Sequence, residues 1–155
     1  DLDTVYVPIG LGSGICGVIS ARDALGLTAE IVGVVAEGAP CYALSYAAGH
    51  VVATNGVATI AEGLAVRQPD AQALDIIRKG AARIVTVSDE EISAAMAAYF
   101  MDTHNLAEGA GAASLAARLQ ERRQRGQGFA GPRTCRKWGG GLKPFSRPTC
   151  GIINS

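Results

Sequence analysis

The residues of this chain best suited to chemistry lie near its start. Gly10-Leu11-Gly12-Ser13-Gly14 stands between an apolar run, Val5-Tyr6-Val7-Pro8-Ile9, and a helix-forming stretch that begins at Ile15. Glycines let the backbone turn tightly and aim several N–H groups at one point. A helix starting there adds its own free N–H groups and the positive end of its dipole. Ser13 can add a hydroxyl. This is the chemistry of an anion cradle, for a phosphate above all. The plainer reading is a tight turn that holds nothing, and the strand–turn–helix context favours the cradle over it.

The same glycines support a competing reading. Gly12, Gly14 and Gly17 satisfy G-x-G-x-x-G, and Glu37 follows 25 residues after Gly12. A dinucleotide site has this glycine spacing and an acid about 20 residues on for the ribose. On local pattern alone, an NAD(P)-dependent oxidoreductase fits as well as any other phosphate ligand.

The remaining reactive side chains offer less. His50 and His104 are lone histidines without a ligand-spaced partner. Cys16, Cys41, Cys135 and Cys150 form no C-x-x-C pair, and the first two fall in core-like segments as small hydrophobes. No metal site is expected. The only lysines are Lys79, Lys137 and Lys143.

The elements that must position the glycine loop follow from periodicity. Residues 3–8 and 30–35 read as strands and 15–25 as a helix stopped by Gly26. A helix over 40–48 has Pro40 in its first turn and Gly49 as its stop. Residues 50–68 are mostly loop, with a turn at Asn55-Gly56. A helix over 71–79 and a strand over 83–87 come next. Ser88 with Glu91 makes a capping box for a helix reaching His104, and an alanine-rich helix spans 110–123. Alternating strands and helices predict an α/β fold of three layers, a mostly parallel sheet with helices on both faces. Ligands of such sheets sit beyond the carboxyl ends of the strands, where the glycine loop falls.

Composition agrees. Of 155 residues, 48% are hydrophobic and 18% charged, as in a packed domain. Aromatics are few and alanine and glycine many, so the core should be built of close-packed small residues. No leader peptide is expected, nor an apolar stretch able to span a bilayer, and the default setting is cytoplasmic. The net charge is zero but uneven: residues 1–121 hold every acid, and residues 122–155 hold eight bases and no acid. That basic end could meet an anionic partner, which makes a non-catalytic binding module a third reading, but a solvated tail needs no nucleic acid. Residues 1–125 read as one unit and 126–155 as an irregular basic tail.

The wider sequence separates the phosphate readings. Val5 to Gly17 resembles the strand and glycine loop of the pyridoxal-phosphate-dependent serine/threonine dehydratases, where the loop is usually four glycines; here Leu11 and Ser13 replace two. Ile31-Val32-Gly33-Val34 resembles the next strand, and Thr59 to Val66 a segment usually written with Asp-Gly or Glu-Gly. Val85 to Ile92 is similar to the family's strand-to-helix step, and Ala107-Glu108-Gly109-Ala110-Gly111-Ala112-Ala113 to its Glu-Pro-x-Gly-Ala turn. Five segments fall in family order over residues 1–123. The flavour is that of the subgroup including hydroxyectoine-utilisation dehydratases.

The resemblance implies the tryptophan synthase beta-like, fold type II architecture, here a partial domain matching the family's C-terminal half. It implies pyridoxal 5′-phosphate, an amino-acid substrate such as threonine or serine, and a 2-oxo acid and ammonia as products. The full-length enzyme would be a homo-oligomer acting without nucleic acid or membrane. Gly10, Leu11, Gly12, Ser13 and Gly14 would hold the phosphate; Glu62 and Gly63 would lie along the cofactor; Glu108 would face it from the start of the last helix. Glu62 and Glu108 could equally be structural carboxylates at helix starts.

Two parts of the family's machinery have no counterpart. Its Schiff-base lysine sits in a Ser-x-Lys motif of the N-terminal half, and none of the three lysines here resembles it, so no catalytic lysine is assigned and the isolated chain should be inactive. Its closing Ser-Gly-Gly-Asn turn is also missing: after Gln127 come Gly, Pro, Arg, Cys and Trp without periodicity, including Gly139-Gly140-Gly141. Residues from about Gly128 onward read as an out-of-frame translation. Some relatives hold a divalent cation through a carboxylate just after the second strand, where this chain has Val35 and Ala36, with Glu37 displaced.

Overall fold

A computed structural model describes residues 2–126; the basic tail expected at 126–155 lies almost wholly outside them. In chain order the elements are β1 (Thr4–Pro8), α1 (Ser13–Ala24), β2 (Glu30–Ala36), α2 (Cys41–Ala48), a 3-10 turn (Glu62–Leu64), α3 (Ala71–Gly80), β3 (Arg83–Val87), α4 (Asp89–Thr103) and α5 (Gly109–Gln124).

The three strands form one parallel sheet in the order β1-β2-β3. Val5 pairs with Ile31 and Pro8 with Val34, while Val32 pairs with Arg83 and Ala36 with Val87. The central strand is buried from Ile31 to Ala36. A parallel strand covered on both faces reads as this kind of unbroken apolar run.

Alternation along the strands builds two cores. On one face Val7, Ile9, Ile15, Ile19, Ile31, Val35, Leu74 and Ile77 join α1, α2 and α3. On the other, Val34, Ala36, Val87 and Ile92 meet the alanines of α5, with α4 packed alongside. Ala112, Ala113, Ala116 and Ala117 are almost fully buried, so α5 approaches the sheet closely, as the small-residue composition predicts. Gly33 serves the opposite core: a Cβ there would collide with Ile9 and crowd Ile15. Cutting a fully buried side chain such as Ile77 to alanine should cost about 2–5 kcal/mol.

Local chemistry sets the ends. The Ser88 hydroxyl accepts from Glu91 N–H at 3.3 Å, and Ser88 N–H donates to the Glu91 carboxylate at 3.2 Å. This is the expected capping box, which is worth about 1 kcal/mol. Asp70 caps α3 by accepting from Ala73 N–H at 2.8 Å. As expected, α4 ends at His104, which caps it in the left-handed region at φ 57°. Two helix starts differ from the sequence expectation. Pro40 is the N-cap of α2 rather than a residue of its first turn. The other is α1, which begins at Ser13 instead of Ile15; the helix starts inside the glycine loop, because Gly12 takes the turn at φ 99°.

Candidate functional site: a glycine cradle at the carboxyl end of the sheet

The glycine loop leaves β1 at the carboxyl end of the sheet, after Ile9 N–H has extended the ladder to Val34. Gly12 occupies a conformation that costs other residues about 1–2 kcal/mol. Its carbonyl accepts from Cys16 N–H at 3.0 Å, the first bond of α1. That leaves the N–H groups of Ser13, Gly14 and Ile15 without intrahelical acceptors. Among the described residues, no backbone or side-chain acceptor meets any N–H from Gly10 to Ile15. Six consecutive amides, from Gly10 to Ile15, are thus without a protein acceptor among the described residues.

The loop rests on two helices. The Tyr42 hydroxyl, in α2, donates to Leu11 C=O at 2.7 Å and accepts from Asp70 N–H at 3.1 Å. A Cβ at Gly12 would lie 2.9 Å from that hydroxyl and 2.7 Å from the Ala73 methyl. Leu11 and Ser13 instead face solvent, with Leu11 69% exposed.

The far wall comes from the segment before α3 and the start of α5. A Cβ at Gly10 would collide with Gly63 C=O, so the two backbones touch. A Cβ at Gly63 would lie 2.9 Å from the Ala110 methyl and 3.6 Å from Glu108 Oε1. Gly109 packs equally tightly on Ala61. The structure therefore gathers Gly10, Gly63 and Glu108, which are separated by up to 98 positions in sequence. Glu62 and Glu108 are exposed. Neither makes a side-chain hydrogen bond or ion pair among the described residues. Glu108 is the N-cap residue of α5 but does not cap it with its side chain.

Two residues that sequence reasoning missed fix this wall. Asp89, the first residue of α4, accepts from the Thr59 hydroxyl at 2.6 Å and from Ile60 N–H at 3.1 Å. Thr59 in turn accepts from Ala61 N–H at 3.1 Å, which sets the turn that carries Glu62 and Gly63. An acid in a first helical turn reads as a partner of the helix dipole, so nothing in the sequence linked it to Thr59.

The dinucleotide reading fails on its third glycine. That glycine exists to bring the helix close to the strand. Gly17 is exposed, and a Cβ there would meet nothing within 4 Å among the described residues. Lys79 lies at the opposite end of α3 from Ala73, the residue touching Gly12. His50 is exposed and, among the described residues, bonds only the nearby Ala48 C=O. Burial raises both thiols, Cys16 and Cys41, above their ordinary pKa, which disfavours the reactive thiolate. Two open clefts flank the start of β1, lined in part by Leu2, Asp3 and Thr4, and neither includes the glycine loop.

Comparison with known proteins identifies the class. Residues 1–132 match the family described as pyridoxal-phosphate dependent enzyme, and the chain belongs to that family. It is 37% identical over 122 residues to the L-threonine ammonia-lyase of Geobacter sulfurreducens, covering 79% of this chain and 30% of that protein. The T.th. threonine deaminase structure superposes with a TM-score of 0.76 at 29% identity, over 80% of this chain and 46% of that one. Maize serine racemase gives a TM-score of 0.76 at 30% identity, over 81% of this chain and 38% of that one. The chain thus spans about a third of the length of the curated relative it matches. The expected α/β architecture with a parallel sheet between helices is the one these structures share.

The residues present are compatible with a phosphate group at the loop. Gly10 and Gly12 stand where a Cβ would strike Gly63, Ala73 or Tyr42, and among the described residues the loop amides have no protein acceptor, which suits an anion.

Proposed function

We propose that this chain is the phosphate-holding part of a pyridoxal-phosphate-dependent lyase that eliminates water from a β-hydroxy amino acid of the threonine or serine type. The observation that carries the reading is the unpartnered run of N–H groups from Gly10 to Ile15, closed on one side by Gly63. Gly10, Leu11, Gly12, Ser13 and Gly14 would bind the phosphate, and Ser13 could add its hydroxyl. Glu62 and Gly63 would lie along the cofactor, and Glu108 would face the site from the start of α5. The bound cofactor supplies an electron sink for the substrate's α-carbon, chemistry that no side chain provides. The similarity to threonine ammonia-lyase and threonine deaminase supports this substrate class. Assignment to the hydroxyectoine subgroup rests on sequence flavour alone.

No residue of this chain is assigned as the family's Schiff-base lysine: Lys79 lies at the far end of α3 from Ala73, and Lys137 and Lys143 carry no Ser-x-Lys motif. We read residues 128–155 as out-of-frame; the other two reading frames of the coding DNA should restore an apolar strand followed by Ser-Gly-Gly. The complete enzyme would be a homo-oligomer in a reducing, cytoplasmic setting. Among the described residues no helix is long and apolar enough to cross a membrane.

Titrating the purified chain with pyridoxal phosphate and, separately, with NAD tests the reading. Saturable binding of pyridoxal phosphate without NAD binding is expected. Binding of NAD alone would overturn it and restore the dinucleotide alternative.

A further inference from the structure

We propose that Tyr42 is the positioning residue of the cradle: its hydroxyl fixes the Leu11–Gly12 peptide so that the Gly12 N–H is turned toward the phosphate. This rests on the cradle reading above and names the residue that sets its geometry.

The argument is one of peptide planes. All peptide bonds among the described residues are trans, so each N–H points opposite to the carbonyl that precedes it. Tyr42 draws Leu11 C=O toward α2 with a 2.7 Å hydrogen bond. The Gly12 N–H must then point away from α2. Cys16 N–H holds the Gly12 carbonyl in the helix direction, which turns the Ser13 N–H outward by the same logic.

The hydroxyl is itself held. It accepts from Asp70 N–H at 3.1 Å, at the start of α3, and Tyr42 is 1% exposed. Burial raises its pKa above 10, so it stays a donor at neutral pH. Packing alone would be served by phenylalanine. Here both functions of the hydroxyl are used, one on the loop and one on the helix beside it.

The test uses the full chain, labelled with ¹⁵N and titrated with inorganic phosphate. In the wild type, the Gly12 and Ser13 amide protons should be among those that shift most. Tyr42→Phe should weaken phosphate binding about fivefold to tenfold, the net worth of one hydrogen bond between neutral groups. It should also shrink the Gly12 displacement. Glu121→Gln, at the opposite end of the sheet, serves as a destabilised control and should bind phosphate as the wild type does. Equal affinity in Tyr42→Phe and wild type would overturn the role of Tyr42 and leave the cradle standing. No phosphate binding by the wild type would overturn the cradle, and the proposal with it. Should Tyr42→Phe fail to fold, the wild-type spectrum decides: a Gly12 amide unmoved at saturation rejects the proposal, and a displaced one supports it.

Discussion

The two ends of the sheet solve opposite problems. At the amino end of the strands, every group of one polar cluster is paired. Arg83 donates to both oxygens of Glu121, at 2.8 and 2.9 Å, and to Glu30 at 3.0 Å. The Tyr6 hydroxyl donates to the same Glu121 carboxylate, and Arg125 lies 3.5 Å from it. This ties β1, β2, β3 and α5 together. At the carboxyl end the loop amides are left without partners, and glycines hold two backbones in contact. A fully satisfied network stabilises a fold, whereas unmatched donors on a rigid frame are ready for a ligand. The contrast teaches where stability and binding should separate under mutation.

The largest effect is expected at the cradle. Gly12→Ala combines left-handed strain with a methyl 2.7 Å from Ala73, so the loop must shift. Phosphate affinity measured by calorimetry should fall about a hundredfold; a fall of less than threefold would mean that the loop tolerates a Cβ. Next comes the other end. Glu121→Ala leaves Arg83 short of its main partner and should lower unfolding free energy in urea by about 2–3 kcal/mol, with phosphate affinity unchanged. A parallel loss of affinity would break the separation of the two ends.

Acid should act through the same network. The Arg83 guanidinium, aided by Tyr6 and against the effect of burial, holds the Glu121 carboxyl down at about 2, below its ordinary 4.5. A depressed carboxyl stabilises the fold above its unfolded value, and that contribution fades as pH falls from about 4.5 toward 2. Thermal midpoints should drop across this window in the wild type and less steeply in Glu121→Gln; identical slopes would remove Glu121 from the account. The smallest effect belongs to Ser13→Ala, which spares the backbone donors and should weaken phosphate binding about threefold or less.

Much of this was legible in the residues. The Ser88–Glu91 spacing foretold the capping box, and the alternation of strands and helices foretold a parallel sheet covered on both faces. The start of α1 was not legible, because glycine at 12 and 14 reads as loop by propensity, while the left-handed turn of Gly12 starts the helix early. Gly10, Gly63 and Glu108 could be gathered only through the family resemblance, since local periodicity says nothing about contacts across such separations. Tyr6 and Glu121 lie 115 positions apart, and neither carries a local signal of the other. Tyr42 gave half a signal: a buried tyrosine needs a partner for its hydroxyl, but which one depends on the packing of three elements.

The seating of the loop also says which letters of its motif are free to drift. The positions numbered 10 and 12 press on Gly63, Tyr42 and Ala73, so a lineage that gained a side chain at either would have to remodel a neighbour at the same step. Leu11 and Ser13 stand in the gaps between those contacts, with their side chains turned to solvent. They are also the two positions at which this chain departs from the four-glycine loop that the family resemblance implies. The departures fall where history could rewrite the word without changing what its backbone does.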